Sequence, residues 1–177
     1  GFISVIGYTD FFARRGLGEI SAGIGLGSLP VFSLYFFQSG TFNPEIIYIS
    51  ALSSIPVFNL LLVNEYPDIE IDRKYGRLNI PIVLGRRKGL IIYGIATFTY
   101  YFGITAAVLT TKMSYSLLLT FISLPLALKV LYRSLRNNKS LGEKQLKQNV
   151  QWVHLTYMLT ALGLLSPQLI FLLIARI

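Results

Sequence analysis

The chain has 177 residues, of which 53% are hydrophobic and 14% charged, with no cysteine. Soluble domains carry about 25% charged residues, so composition argues against a soluble enzyme, and the missing thiols exclude disulfide frameworks, zinc knuckles, iron-sulfur clusters and thiol catalysis. A formal charge of +8 and a mean hydropathy of +0.59 leave nucleic acid or a membrane as partner, and the placement of the charges decides between them.

In chain order, Gly1 to Tyr8 is apolar but too short to cross a bilayer. It reads as the tail of an earlier span, and the start at Gly1 as a truncation or processing point. Crossing a hydrocarbon core takes about 20 helical residues. Five runs approach or exceed that length: Ile20 to Phe37, Pro44 to Val63, Gly89 to Leu109, Ser114 to Tyr132 and Val150 to Ala175. Runs this long suit helices, not barrel strands, because backbone polar groups in lipid must be satisfied within the segment. The expected fold is all-α, a polytopic transmembrane helical bundle, with residues 1–177 forming part of a single domain. Gly23, Gly25 and Gly27 fit close helix packing and not a dinucleotide fingerprint. Pro30, Pro56, Pro125 and Pro167 are expected to kink their spans.

Five spans make the connecting segments alternate between the two membrane faces. One face collects Arg14, Arg15, Arg73, Lys74, Arg77, Arg86, Arg87, Lys88, Lys129, Arg133, Arg136, Lys139, Lys144 and Lys147; the other receives Lys112 and Arg176. This asymmetry places the basic loops in the cytoplasm of an integral membrane protein, in the cell membrane if the source is prokaryotic. The charge is therefore topological, the lipid bilayer is the expected partner, and no nucleic-acid module is present.

The densest polar signal is Asn64-Glu65-Tyr66-Pro67-Asp68-Ile69-Glu70-Ile71-Asp72-Arg73-Lys74-Tyr75-Gly76-Arg77. Four carboxylates within eight residues at the edge of a span repel one another and call for a cation. On a helix, Asp68 and Asp72 share a face about 5–6 Å apart at Cβ, with Glu70 directed elsewhere. Such a pair can hold Mg²⁺, whose octahedron is completed by water and phosphate oxygens. Arg73, Lys74 and Arg77 follow at distances suited to an anionic substrate, which together describes a diphosphate site. The same residues also suit a charged helix start, with Pro67 in the first turn and the acids complementing the dipole. An EF-hand loop fits less well, with Arg73 at the glycine position and Asn79 at the bidentate glutamate position.

The stretch Asn64 to Gly85, NEYPDIEIDRKYGRLNIPIVLG, resembles the second aspartate-rich motif of the UbiA superfamily of intramembrane prenyltransferases. It is most similar to the 1,4-dihydroxy-2-naphthoate branch, which reads N-N-x-R-D-x-x-x-D-x-x-x-G-K-x-T-L-x-x-x-L-G. Asn64, Asp68, Asp72, Gly76, Leu84 and Gly85 match, and Arg77 replaces the basic Lys. Tyr8-Thr9 and Gly16-Leu17-Gly18-Glu19 also resemble that branch. Departures are Glu65 for the second Asn, Pro67 for Arg and Asn79 for Thr. Pro67 also disfavours helix at Tyr66, so the span is expected to break before the acidic pair.

The resemblance implies the last five of nine helices and a Mg²⁺-dependent transfer of a polyprenyl group from its diphosphate to an aromatic acceptor, in menaquinone-type quinone biosynthesis. It implies that Asp68 and Asp72 are catalytic and hold the metal. It further implies that Asn64, Arg73, Lys74 and Arg77 bind the diphosphate, with Tyr8, Arg14 and Arg15 as further substrate contacts. The first motif, of N-D-x-x-D type, is absent from this chain, so an N-terminal half carrying it is an implied partner. Another UbiA-type acceptor, 4-hydroxybenzoate or a glycerol-phosphate lipid, is the nearest alternative. A cation-binding transporter subunit is the alternative of another class, and it is disfavoured because no charged residue occupies a span centre. A CDP-alcohol phosphotransferase lacks its D-G-x-x-A-R opening here. His154 reads as structural, and Phe98, Tyr100, Tyr101 and Phe102 suit either an isoprenoid cavity with cation-π character or a lipid-facing surface.

Overall fold

The computed structural model describes residues 16–111, 113–136 and 141–165. Within them the chain forms α1 (Gly18–Ser39), α2 (Pro44–Asn64), two short helices α3 (Ile69–Lys74) and α4 (Ile80–Leu84), then α5 (Arg86–Thr110), α6 (Tyr115–Arg136) and α7 (Glu143–Leu164). Four of these, α1, α2, α5 and α6, are long and apolar enough to cross a membrane, matching the first four predicted spans to within a few residues. The fifth predicted span, Val150 to Ala175, coincides with α7 as far as Leu164. That helix starts earlier, at Glu143, and residues 166–177, with Pro167, lie outside the described residues.

Helices α2, α5, α6 and α7 close a ring, each packed on the next, while α1 packs on α2 from outside. Their directions alternate, because partner residues run in opposite order along each neighbouring pair. Tyr48 bonds Gly103 near one end of α2 and α5, and Asn59 bonds Tyr93 and Thr97 nearer the other. Ser116 bonds Gly163 and Ser123 bonds Thr156 between α6 and α7. Antiparallel neighbours are what a chain threading back and forth across a bilayer requires.

Side-chain hydrogen bonds hold the ring together, as expected where lipid offers no hydrophobic drive between helices. Trp152 Nε1 donates to Tyr101 Oη at 3.0 Å, Tyr101 meets Ser123 at 2.7 Å, and Tyr100 meets Thr160 at 2.7 Å. Asn149 accepts from Tyr93 and donates to the Asn59 carbonyl. The four aromatics left open by sequence therefore divide: Tyr100 and Tyr101 are buried in this network, whereas Phe98 and Phe102 stack on each other at the exposed surface. His154 is exposed, and its Nδ1 meets the Val150 carbonyl one turn back.

Two of the prolines mark a change of helical pitch. Residues Gly23–Ser28 of α1 are π-helical, and Pro30 follows at the start of the α-helical Leu29–Ser39. Tyr115–Ser123 of α6 is a 3-10 helix, and Pro125 opens the α-helical remainder. Proline supplies no amide to the turn behind it, so the hydrogen-bond register shifts there at low cost. Pro56 is carried within α2.

Candidate functional site

The site is built where α2 stops. Asn64 ends α2 and Glu65 caps it. The chain turns through Tyr66 and Pro67, and α3 begins with Asp68 at its N-cap, the break that Pro67 was expected to impose. Tyr66 is buried and donates from its hydroxyl to the Arg86 carbonyl at 2.7 Å, tying this turn to the start of α5. Burial raises the tyrosine pKa, so the group remains a neutral donor.

Asp68 and Asp72 lie one helical turn apart, with the Asp72 amide donating to the Asp68 carbonyl at 2.8 Å. Their surroundings differ. Asp68 is exposed, while Asp72 is 5% exposed. Gly76 adopts φ +71°, a left-handed conformation that side chains resist. The reversal brings the Arg77 amide onto the Asp72 carbonyl at 3.0 Å and its Nη1 to 3.3 Å from Asp72 Oδ1. Sequence reading placed Arg77 near the acids, and the structure pairs it with Asp72.

Asn79 holds the other side. Its Oδ1 accepts the Ile82 amide at 2.9 Å, capping α4, as Asn does well at this position. Its Nδ2 donates to both Glu65 Oε2 and Asp72 Oδ2, each at 3.1 Å. Burial, then the hydrogen bond with Asp72, push the Glu65 carboxyl up to about 7. Glu19, from the first turn of α1, is buried and accepts the Ile80 amide at 2.7 Å. Together Glu19, Glu65, Asp72, Arg77 and Asn79, with Gly18 and Leu78, line one polar recess.

The structure thus gathers Asp72 and Arg77 with three residues that sequence reasoning did not assign to the site: Glu19, Glu65 and Asn79. A signal for two of them was present. Glu65 and Asn79 are departures from the family pattern, and they contact each other. Asn64, Asp68, Arg73 and Lys74 are exposed beside the recess without lining it; Tyr8, Arg14 and Arg15 lie outside the described residues. Among the described residues, no group of three or more His, Cys, Asp or Glu side chains is set to hold a bare metal ion. The donor set still fits Mg²⁺, a hard cation that takes one or two carboxylates and draws its remaining oxygens from water and phosphate.

Asn79 is expected to act through Asp72. Asn79→Ala removes both the cap, worth about 1 kcal/mol, and the donor shared by the two acids, and should weaken Mg²⁺ affinity by about 10- to 100-fold. Asn79→Thr keeps a capping oxygen without the paired donor. Mg²⁺ titrations and melting curves on both variants therefore separate the two contributions.

Comparison with known proteins places the chain in a family. Residues 1–153 match the family described as the UbiA prenyltransferase family. The chain is 32% identical over 120 residues to 1,4-dihydroxy-2-naphthoate octaprenyltransferase of Bacillus subtilis (strain 168), a match covering 68% of this chain and 37% of that protein. It is 29% identical over 118 residues to the protein of the same name from Haemophilus influenzae (strain ATCC 51907 / DSM 11121 / KW20 / Rd), covering 67% of this chain and 38% of that protein. The chain thus spans well under half the length of the curated relatives it matches. No solved structure matches it at comparable stringency. With the family matched over most of its length and an acidic site at the end of apolar helices, this chain belongs to the UbiA prenyltransferase family.

Proposed function

We propose that the protein transfers a polyprenyl group from its diphosphate to an aromatic acceptor of naphthoate type, in quinone biosynthesis, and that this chain supplies one acidic wall of the site. The observation carrying this reading is the buried Asp72 carboxylate, fixed by Arg77 and Asn79 at the end of a membrane span. Both relatives are named as octaprenyltransferases acting on 1,4-dihydroxy-2-naphthoate.

In this reading Asp72 and Asp68 hold the metal, and Arg73, Lys74 and Arg77 neutralise phosphate oxygens, with Asn64 donating a hydrogen bond. Arg suits this role because its planar fork meets phosphate in two places. Tyr8, Arg14 and Arg15 are proposed as contacts from the segment preceding α1. When bound, Mg²⁺ supplies positive charge to the diphosphate as it leaves the allylic carbon. The protein's part is to present fixed charge where negative charge grows and to keep water from the allylic cation before the aromatic carbon attacks it. A second acidic motif, of N-D-x-x-D type and outside this stretch, completes the proposed site. The basic segments around α3 and between α6 and α7 are proposed to face the cytoplasm.

Transfer from a polyprenyl diphosphate to the naphthoate, assayed with the purified protein in detergent, tests the proposal. Activity should require Mg²⁺, vanish with EDTA and return when Mg²⁺ is restored. Transfer persisting in EDTA would refute the metal-dependent reading, and preference for 4-hydroxybenzoate would move the acceptor assignment.

A further inference from the structure

Helices α5 and α6 leave an apolar groove between them on the outer side of the ring. Gly94, Phe98 and Leu131 line both of its parts, one of about 160 Å³ that reaches Leu124 and a more open one of about 380 Å³ that reaches Leu135. The two polar side chains in its wall are engaged elsewhere. Thr97 Oγ1 donates to the Tyr93 carbonyl and accepts from Asn59, and the Tyr93 hydroxyl donates to Asn149. A groove that offers so few polar partners suits hydrocarbon and not water. Its open end is basic. Arg87 is exposed and begins the stripe of α5 that continues through Ile91, Gly94 and Phe98, four, seven and eleven residues later, the spacing of one helix face. Lys88 is exposed beside it, Arg136 is exposed one residue past Leu135, and no acid stands in the first turn of α5.

We propose that this groove seats one acyl chain of an anionic phospholipid whose phosphate meets Arg87 and Lys88. The inference goes beyond prenyl transfer and does not depend on it. Length selects the occupant. From Arg87 to Phe98, and from Leu124 to Leu135, each helix advances about 16 Å at 1.5 Å per residue, about half of a hydrocarbon core of roughly 30 Å. The Phe102 ring, stacked on Phe98, stands beyond that end. A neighbouring helix would run on across the whole core, whereas a groove one leaflet deep with cations at its mouth matches a single lipid. Gly94 makes the room: a Cβ there would come within 3.0 Å of Leu131 Cδ2, so a larger side chain occupies the space between the helices. An acyl chain is as apolar in the bilayer as in the groove, so the groove contributes packing and the basic residues contribute the preference for a negative headgroup.

The test is native mass spectrometry of the purified full-length protein in detergent, titrated with phosphatidylglycerol or with phosphatidylcholine of the same chains. Wild type should bind phosphatidylglycerol more tightly than phosphatidylcholine. Arg87→Gln should weaken phosphatidylglycerol binding about fivefold, the effect of one basic residue beside an anionic headgroup, and leave phosphatidylcholine little changed. Gly94→Leu should weaken both lipids. Arg87 is exposed, so its variant should fold and serves if Gly94→Leu does not. Equal binding of the two lipids by wild type overturns the inference, as does unchanged phosphatidylglycerol affinity in Arg87→Gln or in a folded Gly94→Leu. Displacement of the lipid by glycerol 3-phosphate would make free phosphate the ligand, and a dimer lost in Gly94→Leu would make a second copy the occupant; either result also overturns it.

Discussion

Replacing Asp72 by Asn is expected to reduce Mg²⁺-dependent prenyl transfer by about 10³-fold or more, which corresponds to roughly 4 kcal/mol of lost transition-state stabilisation. Asn retains the shape of the side chain but removes the charge that Arg77 and Asn79 hold in place at 3.3 and 3.1 Å. Because Asp72 is buried, water does not replace the lost charge, and Arg77 loses its ion-pair partner. Asp68→Asn should also suppress transfer. Asp68 is exposed and its side chain makes no capping hydrogen bond, so that variant should melt like wild type. Initial rates at saturating Mg²⁺, paired with melting curves in detergent, separate catalytic loss from unfolding. Full turnover by Asp72→Asn would remove Asp72 from the chemistry.

Gly27→Ala is expected to produce a large loss of stability for so small a change, about 1–3 kcal/mol. The π-helical turn of α1 lies directly on the backbone of α2. A Cβ at Gly27 would overlap the Ser53 carbonyl oxygen and come within 2.8 Å of Ser54 Cα; at Gly23 it would lie 2.8 Å from the Ser54 carbonyl oxygen. Backbone atoms of α2 have little freedom to yield, since that helix is also packed against α5 and α7. Gly94→Ala is the comparison. Its Cβ meets only Leu131 side-chain atoms, the nearer at 3.0 Å, which can rotate away, so its melting temperature should stay near that of wild type. Separating α1 from α2 also carries Glu19 away from the Ile80 amide.

The two predictions join at α1. The glycines of α1 were legible in the sequence as a packing surface, and the structure shows that Gly23 and Gly27 approach the Ser53 and Ser54 backbone. What these glycines do for the site was not legible. Glu19 stands 61 positions from Ile80 in sequence, yet the close approach of α1 delivers its carboxylate to that amide. Asn79 and Glu65 looked like weakened positions of a family motif when read one at a time. In three dimensions they form one hydrogen bond, and Asn79 passes its second donor bond to Asp72.

The sequence by itself determined the helical, membrane-embedded class, the limits of the first four spans, the break at Pro67 and the position of the acidic and basic residues in one loop. These features are local: span length, side-chain polarity and the missing proline amide act within a few residues of one another. Only the tertiary structure decided that Asp72 is buried while Asp68 is exposed, that Arg77 turns back onto Asp72, and that Glu19, Glu65 and Asn79 share its recess. Those outcomes depend on which helices touch and how closely. Helix spacing is set by backbone contact at the glycines and by buried hydrogen bonds across the ring, and these join residues far apart in the chain.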